Sequence, residues 1–116
     1  MAGKNKEILS RLTHGVLTLK KLAPKVTEQF LSFDIATTEA GVLDHKTKEL
    51  IAMAIGVAAR CDGCIAVHVN NCLTAGATVE EIAEALGVAI GMGGGPSLVY
   101  ATRALEALAE FTDKTS

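Results

Sequence analysis

At 116 residues the chain has the length of one domain with a modest core. Apolar residues make up 49% and aromatics 3%, with no Trp, so the expected core is closely packed Ala, Leu, Ile and Val helices rather than a sandwich, with some helix faces buried between subunits. The net charge of −2 and the scattered placement of Lys4, Lys6, Lys20, Lys21 and Lys25 exclude a nucleic-acid footprint, and the longest apolar run, 50–59, is half of the roughly 20 residues a membrane span needs.

The first helix is predicted over 5–22, where Ile8, Leu9, Leu12, Val16, Leu19 and Leu22 recur at helical spacing. His14 within it reads as a surface residue. Pro24 suits a first helical position and opens a second helix over about 24–36, with Val26, Phe30, Leu31 and Phe33 apolar. A break follows at 37–41. The strongest helix runs over 43–59 with Asp44 as its cap. Its apolar residues are so continuous that it should be central, with Glu49 at a solvent-facing end and His45 on the surface.

A fourth helix should start at 61–64 and run to about 75, with Asp62 as a tolerable cap residue, Gly63 permitting close approach and Gly76 closing the end. Thr78 and Glu81 fit a capping box for a fifth helix over 79–92. The break at 93–96 precedes a sixth, through Leu98, Val99, Leu105, Leu108 and Phe111. No convincing strand is present, and the fold class is all-α. The polar first seven residues show no secretory leader, which suggests a cytoplasmic protein, where structural disulfides are rare.

Chemistry concentrates in the stretch from Arg60 to His68. Cys61 and Cys64 are separated by two residues, and His68 follows Cys64 by four. In a reducing compartment such a pair is redox-active or metal-binding rather than structural. A thiol reacts as its thiolate, and free cysteine, with a pKa near 8.5, needs help to ionise. Two devices are available here. A helix start favours negative charge through its free amides and dipole. A histidine one turn along the same face can take the thiol proton.

Zinc is the competing chemistry, with Cys61, Cys64, His68 and Cys72 as the possible set. Cys72 lies eight residues beyond Cys64, roughly 12 Å along a continuous helix, too far for a shared ion. Cys72 is expected to be a small buried residue. The pair and its histidine could also be simple core residues, and this spacing alone leaves that open.

The whole pattern, Glu49, eleven intervening residues, Cys61-x-x-Cys64, three residues and His68, resembles the core of the alkyl hydroperoxidase D-like proteins within the carboxymuconolactone decarboxylase superfamily. The flanks agree: Leu43-Asp44 and Lys46-Thr47-Lys48-Glu49-Leu50-Ile51 before the site, Gly76-Ala77-Thr78 and Glu80-Glu81-Ile82 after it, and Met92-Gly93-Gly94-Gly95-Pro96-Ser97 late in the chain. The resemblance covers about residues 20–110 of a single domain spanning 1–116.

It implies a helical protein that assembles as a trimer or hexamer, and a dithiol peroxidase chemistry with no cofactor beyond the cysteine pair. Cys64 would meet the hydroperoxide and become a sulfenic acid. Cys61 would close the disulfide, and Glu49 with His68 would relay the proton. A lipoyl- or thioredoxin-type dithiol protein would return the electrons. The other activity of the superfamily, decarboxylation of a lactone, would use Glu49 and His68 without the thiols; a third reading is a redox-sensing oligomer without turnover. Gly63 stands where some peroxidase relatives carry a further histidine. On a plain antiparallel hairpin Glu49 is expected to lie far from Cys61, about 18 Å along a straight helix, so that the relay calls for a kink, a suitable crossing angle or a second subunit.

Overall fold

In the computed structural model, which describes residues 3–112, six helices follow one another: α1 (Lys4–Leu22), α2 (Pro24–Thr38), α3 (His45–Ala58), α4 (Asp62–Thr74), α5 (Val79–Gly93) and α6 (Gly95–Thr112). The chain is all-α, and among the described residues there is no strand. Among the described residues no helix is long and apolar enough to cross a membrane.

The helix boundaries follow from local chemistry. Pro24 occupies the first turn of α2, where its missing N–H costs nothing. Asp44 caps α3 by accepting the Thr47 N–H at 2.7 Å, and hydrogen bonding from the Thr47 side chain, then from this N–H, holds the Asp44 carboxyl below its usual range. Thr78 and Glu81 form both bonds of the capping box at the start of α5. The ends of α3 and α4 share one pattern. Cys61 N–H returns to the Gly56 carbonyl and Arg60 N–H to that of Val57; Ala77 N–H returns to Cys72 and Gly76 N–H to Leu73. The residue that turns each end is left-handed, Gly76 at φ 90° and Arg60 at φ 57°. Only the first is free of a Cβ penalty.

α3 and α4 form an antiparallel hairpin, with Gly56 against Cys64 near the turn and Glu49 against His68 farther along. α5 covers one side of α3, while α6 crosses α4 and α5. The core lies between these four helices: Met53 and Val57 from α3, Ile65, Val69 and Cys72 from α4, Ile82 and Leu86 from α5, and Ala101, Ala104 and Ala107 from α6. The alanines let α6 pack closely without aromatic side chains. α1 lies over α4 and α6, and α2 packs chiefly on α1 and α3. The start of α1 is tied down by Glu110 of α6, whose carboxylate accepts the Asn5 N–H at 2.8 Å, the Lys6 N–H at 3.1 Å and the Asn5 side chain at 2.5 Å. Burial alone would push this carboxyl up; the three hydrogen bonds outweigh it and hold it below the usual range.

Two expectations need correction. α3 is central, packed against α2, α4, α5 and α6, but it is not apolar-enclosed on all sides: Met53, Gly56 and Val57 are buried, but Ile51 and Ile55 are exposed. The continuous apolar run therefore covers one core face and one open face. The close approach at the redox turn is made by Gly56, not Gly63. A Cβ on Gly56 would stand 3.2 Å from the Cys64 Cβ, whereas one on Gly63 would meet nothing within 4 Å.

Candidate functional site

Cys61 and Cys64 form a disulfide with Cα atoms 5.2 Å apart, across the first turn of α4. Cys61 is the helix cap, and its sulfur accepts the Cys64 N–H at 3.1 Å. The sulfur thus fills the place that a serine or aspartate oxygen holds in other helices. Cys61 and Asp62 are half-buried and Cys64 is exposed. Gly56 leaves room for the turn to sit directly on α3.

Farther along the hairpin, Glu49 is 2% exposed, which reverses the expectation of a solvent-facing position. Its Oε1 lies 2.7 Å from His68 Nδ1. With the carboxylate as acceptor, the ring N–H at Nδ1 donates, so in the neutral ring Nε2 is the nitrogen that can accept a proton. Helical side chains lean toward the N-terminus, which sets this ring toward the turn carrying Cys64, four residues back. No kink or second subunit is needed for the carboxylate to join the site. A plain hairpin suffices, because the partner of Glu49 is His68 rather than Cys61.

His45 is exposed, as read from the sequence, and it joins the group from one turn before Glu49. Its Nδ1 lies 2.6 Å from the Thr38 carbonyl, which can only accept, so Nδ1 carries a hydrogen. Its Nε2 faces Glu49 Oε2 at 3.8 Å. The four-residue spacing of His45 and Glu49 was visible in the sequence and could have suggested this pairing. Beside the three side chains is a pocket of about 250 Å³, walled by His45, Glu49, His68 and Asn71 and, from α2 and the residue after it, Asp34, Ile35, Thr38 and Glu39. The two cysteines are not among its walls.

Another residue missed in the sequence is Arg103 of α6. Its Nη1 donates to both oxygens of Asp62, at 2.9 and 3.0 Å. Its guanidinium carbon lies 4.2 Å over the Tyr100 ring. Asp62 holds the guanidinium pKa above its usual value. A sequence separation of 41 residues gave no sign of this pair.

Cys72, two turns beyond Cys64, is fully buried. Burial, and then the nearby Glu49 charge, push its thiol up to about 12. Among the described residues no three His, Cys, Asp or Glu are arranged to hold a metal ion.

The arrangement thus sets a disulfide at the start of α4, one turn from a half-buried imidazole that is hydrogen-bonded to a buried carboxylate. The carboxymuconolactone decarboxylase family model matches residues 24–107. A crystal structure of a family member from Legionella pneumophila superposes with a TM-score of 0.92 at 46% identity, covering 95% of this chain and 98% of that one. A Thermotoga maritima family member, named as a candidate for an antioxidative response, superposes with a TM-score of 0.80 at 33% identity over 88% of this chain and 87% of its own. An uncharacterised protein of Cupriavidus necator is 37% identical over 84% of this chain and 86% of its own length. The chain belongs to the carboxymuconolactone decarboxylase family.

Proposed function

We propose that the protein is a thiol peroxidase or disulfide oxidoreductase that reduces hydroperoxides through Cys61 and Cys64, in the alkyl hydroperoxidase D-like branch of its family. The observation that carries this reading is the Cys61–Cys64 disulfide at the start of α4, one turn from a histidine hydrogen-bonded to a buried carboxylate.

In the reduced protein, His68 takes the Cys64 proton at Nε2 while Glu49 holds Nδ1 and stabilises the imidazolium. The Cys64 thiolate attacks the terminal oxygen of the hydroperoxide. An S–O bond forms, the O–O bond breaks, and the leaving alkoxide recovers the proton from His68 as an alcohol. Cys64 is then a sulfenic acid. The Cys61 sulfur attacks it, water leaves, and the disulfide closes. A lipoyl- or thioredoxin-type dithiol reopens it by attack on the exposed Cys64 sulfur. Cys61 leaves as a thiolate facing the Cys64 N–H, and the reductant ends as a disulfide.

The pocket beside Glu49 weighs against the lactone decarboxylase reading. Its walls carry three carboxylates, Asp34, Glu39 and Glu49, against two histidines and neither lysine nor arginine, so a substrate carboxylate would meet more negative than positive charge there. A neutral hydroperoxide meets no such penalty. A redox sensor without turnover differs from the proposed enzyme in showing no steady-state peroxide consumption with a dithiol reductant.

Assembly as a homo-oligomer, a trimer or hexamer by resemblance, belongs to the same proposal. Val26, Phe30 and Phe33 on one face of α2 are 71%, 61% and 65% exposed in the isolated chain, and a second copy of the chain would cover this apolar face. A cytoplasmic setting, with its supply of dithiol reductants, suits this chemistry.

The test is hydroperoxide consumption under a lipoyl or thioredoxin reductant. Wild type should turn over, Cys64→Ser should not, and Cys61→Ser should stop after one oxidation. Equal turnover by wild type and Cys64→Ser would rule the reading out.

A further inference from the structure

We propose that Arg103 is a positioning residue of the redox couple: by gripping Asp62, the residue that directly follows Cys61, it removes a competing negative charge from the helix start where the cysteine thiolate forms. This inference rests on the reading that Cys61 and Cys64 cycle between dithiol and disulfide.

Asp62 is in the first turn of α4, directly between the two cysteines in sequence. A carboxylate there draws on the same positive helix end that would stabilise a thiolate, and at close range it repels that thiolate. The geometry answers both problems. One guanidinium nitrogen of Arg103 donates to both Asp62 oxygens, at 2.9 and 3.0 Å. The first-turn amide of Cys64 is consequently left to the Cys61 sulfur, from which it lies 3.1 Å away. When that sulfur is a thiolate, the contact becomes a charge-assisted hydrogen bond. Arg103 itself is seated, its guanidinium stacked over Tyr100 one turn back on α6. The pair therefore anchors the redox turn to a helix that takes no part in the α3–α4 hairpin.

The consequence is directional. Stabilising the thiolate favours the reduced protein and makes the disulfide a better oxidant. On reduction, two electrons come from the dithiol reductant, which is oxidised to its own disulfide, and Cys61 is released as the capped thiolate. Without Arg103, Asp62 keeps its charge, the thiolate loses stability, and the disulfide becomes harder to reduce.

Four proteins test this: wild type, Arg103→Ala, Asp62→Asn and the double variant Arg103→Ala/Asp62→Asn. The other charges around the turn, Arg60, His68 and Glu106, are common to all four. The readouts are the rate of iodoacetamide alkylation of the reduced protein across pH, and the equilibrium with a lipoamide redox buffer. Arg103→Ala should slow alkylation near pH 7 by about three- to ten-fold, the effect of half to one pKa unit, and shift the redox equilibrium toward the disulfide. Asp62→Asn should stay near wild type, and the double variant should return toward it, because no charge remains to be cancelled. Unchanged rates and equilibrium in Arg103→Ala would overturn the proposal. So would a double variant as slow as Arg103→Ala, which would mark Arg103 as a structural brace. If the wild-type disulfide does not cycle in the lipoamide buffer at all, the peroxidase reading falls and this inference with it. A cycling wild type with an indifferent Arg103→Ala removes this inference alone.

Discussion

The two ends of α4 place the same side chain in opposite chemical settings. At the start, Cys61 and Cys64 share a helix turn with free amides, an arginine-neutralised aspartate and an exposed sulfur. Two turns on, Cys72 is sealed in the core, with its thiol pushed up to about 12. The peptide dipole, the burial and the nearest charge all change sign of effect over this distance. A thiolate is favoured by the helix start and penalised twice in the interior, by desolvation and by the Glu49 carboxylate. Reactivity is therefore set by position on the helix, and a cysteine count by itself says little about it.

The largest effect should come from the carboxylate that serves one end and opposes the other. Glu49→Gln keeps a hydrogen-bond acceptor for His68 but removes the charge that stabilises its cation. Hydroperoxide reactivity of Cys64 should drop by about 10²-fold or more, within the range that a positioned acid–base group contributes. Stopped-flow oxidation of the reduced protein measures it, and an unchanged rate would separate Glu49 from the thiol chemistry.

The interior end predicts a pH effect on stability. Below pH 9 Cys72 is protonated in both folded and unfolded chains and contributes no pH dependence. Between pH 9 and about 12 the unfolded chain loses this proton while the folded one keeps it, so folding stability falls as pH rises, by about 1.4 kcal/mol per pH unit at most. Urea unfolding of wild type and Cys72→Ala at pH 8 and pH 10.5 reads this out. The alkaline loss should shrink in the variant, while its peroxide activity at pH 7 stays within about two-fold of wild type.

The smallest effects concern the two helix ends that bound the redox helix. Gly76→Ala should destabilise by about 1 kcal/mol, because alanine meets the left-handed penalty that glycine avoids. Arg60→Gly relieves the same penalty before Cys61 and should stabilise by up to about 1 kcal/mol, offset in part by the flexibility of glycine in the unfolded chain. Thermal unfolding compares both with wild type. If Arg60→Gly raises stability but slows the thiol chemistry, the strained residue also helps to hold the redox turn.

Much of this molecule could be read along the chain because its signals are local. Pro24, Asp44, Gly76 and the Thr78–Glu81 box each mark a helix end through bonds within four or five residues. The cysteine pair and His68 could be placed together because they share one helix. What could not be read depends on which helix faces which. Glu49 looked like a surface residue until α4 was laid against α3, and exposed His45 gave no sign of its bond to the Thr38 carbonyl. The Arg103–Asp62 pair joins two helices far apart in sequence. Gly56 and Gly63 are indistinguishable as letters, yet only Gly56 faces another helix. The open side of α3, with Ile51 and Ile55, carries the same apolar letters as its buried side. The family resemblance supplied Glu49 as a candidate site residue, and the hairpin register pairs it with His68.

The central claim is that the helix start, and not the interior, carries the redox chemistry, and a thiol count tests it most directly. The reduced native protein, with three thiols, is treated with one equivalent of an alkyl hydroperoxide, and the remaining thiols are counted after unfolding and mapped by mass spectrometry. The Cys61 and Cys64 thiols should be lost as a single disulfide, with Cys72 still free. Three thiols left intact, or oxidation that reaches Cys72 first, would contradict that claim.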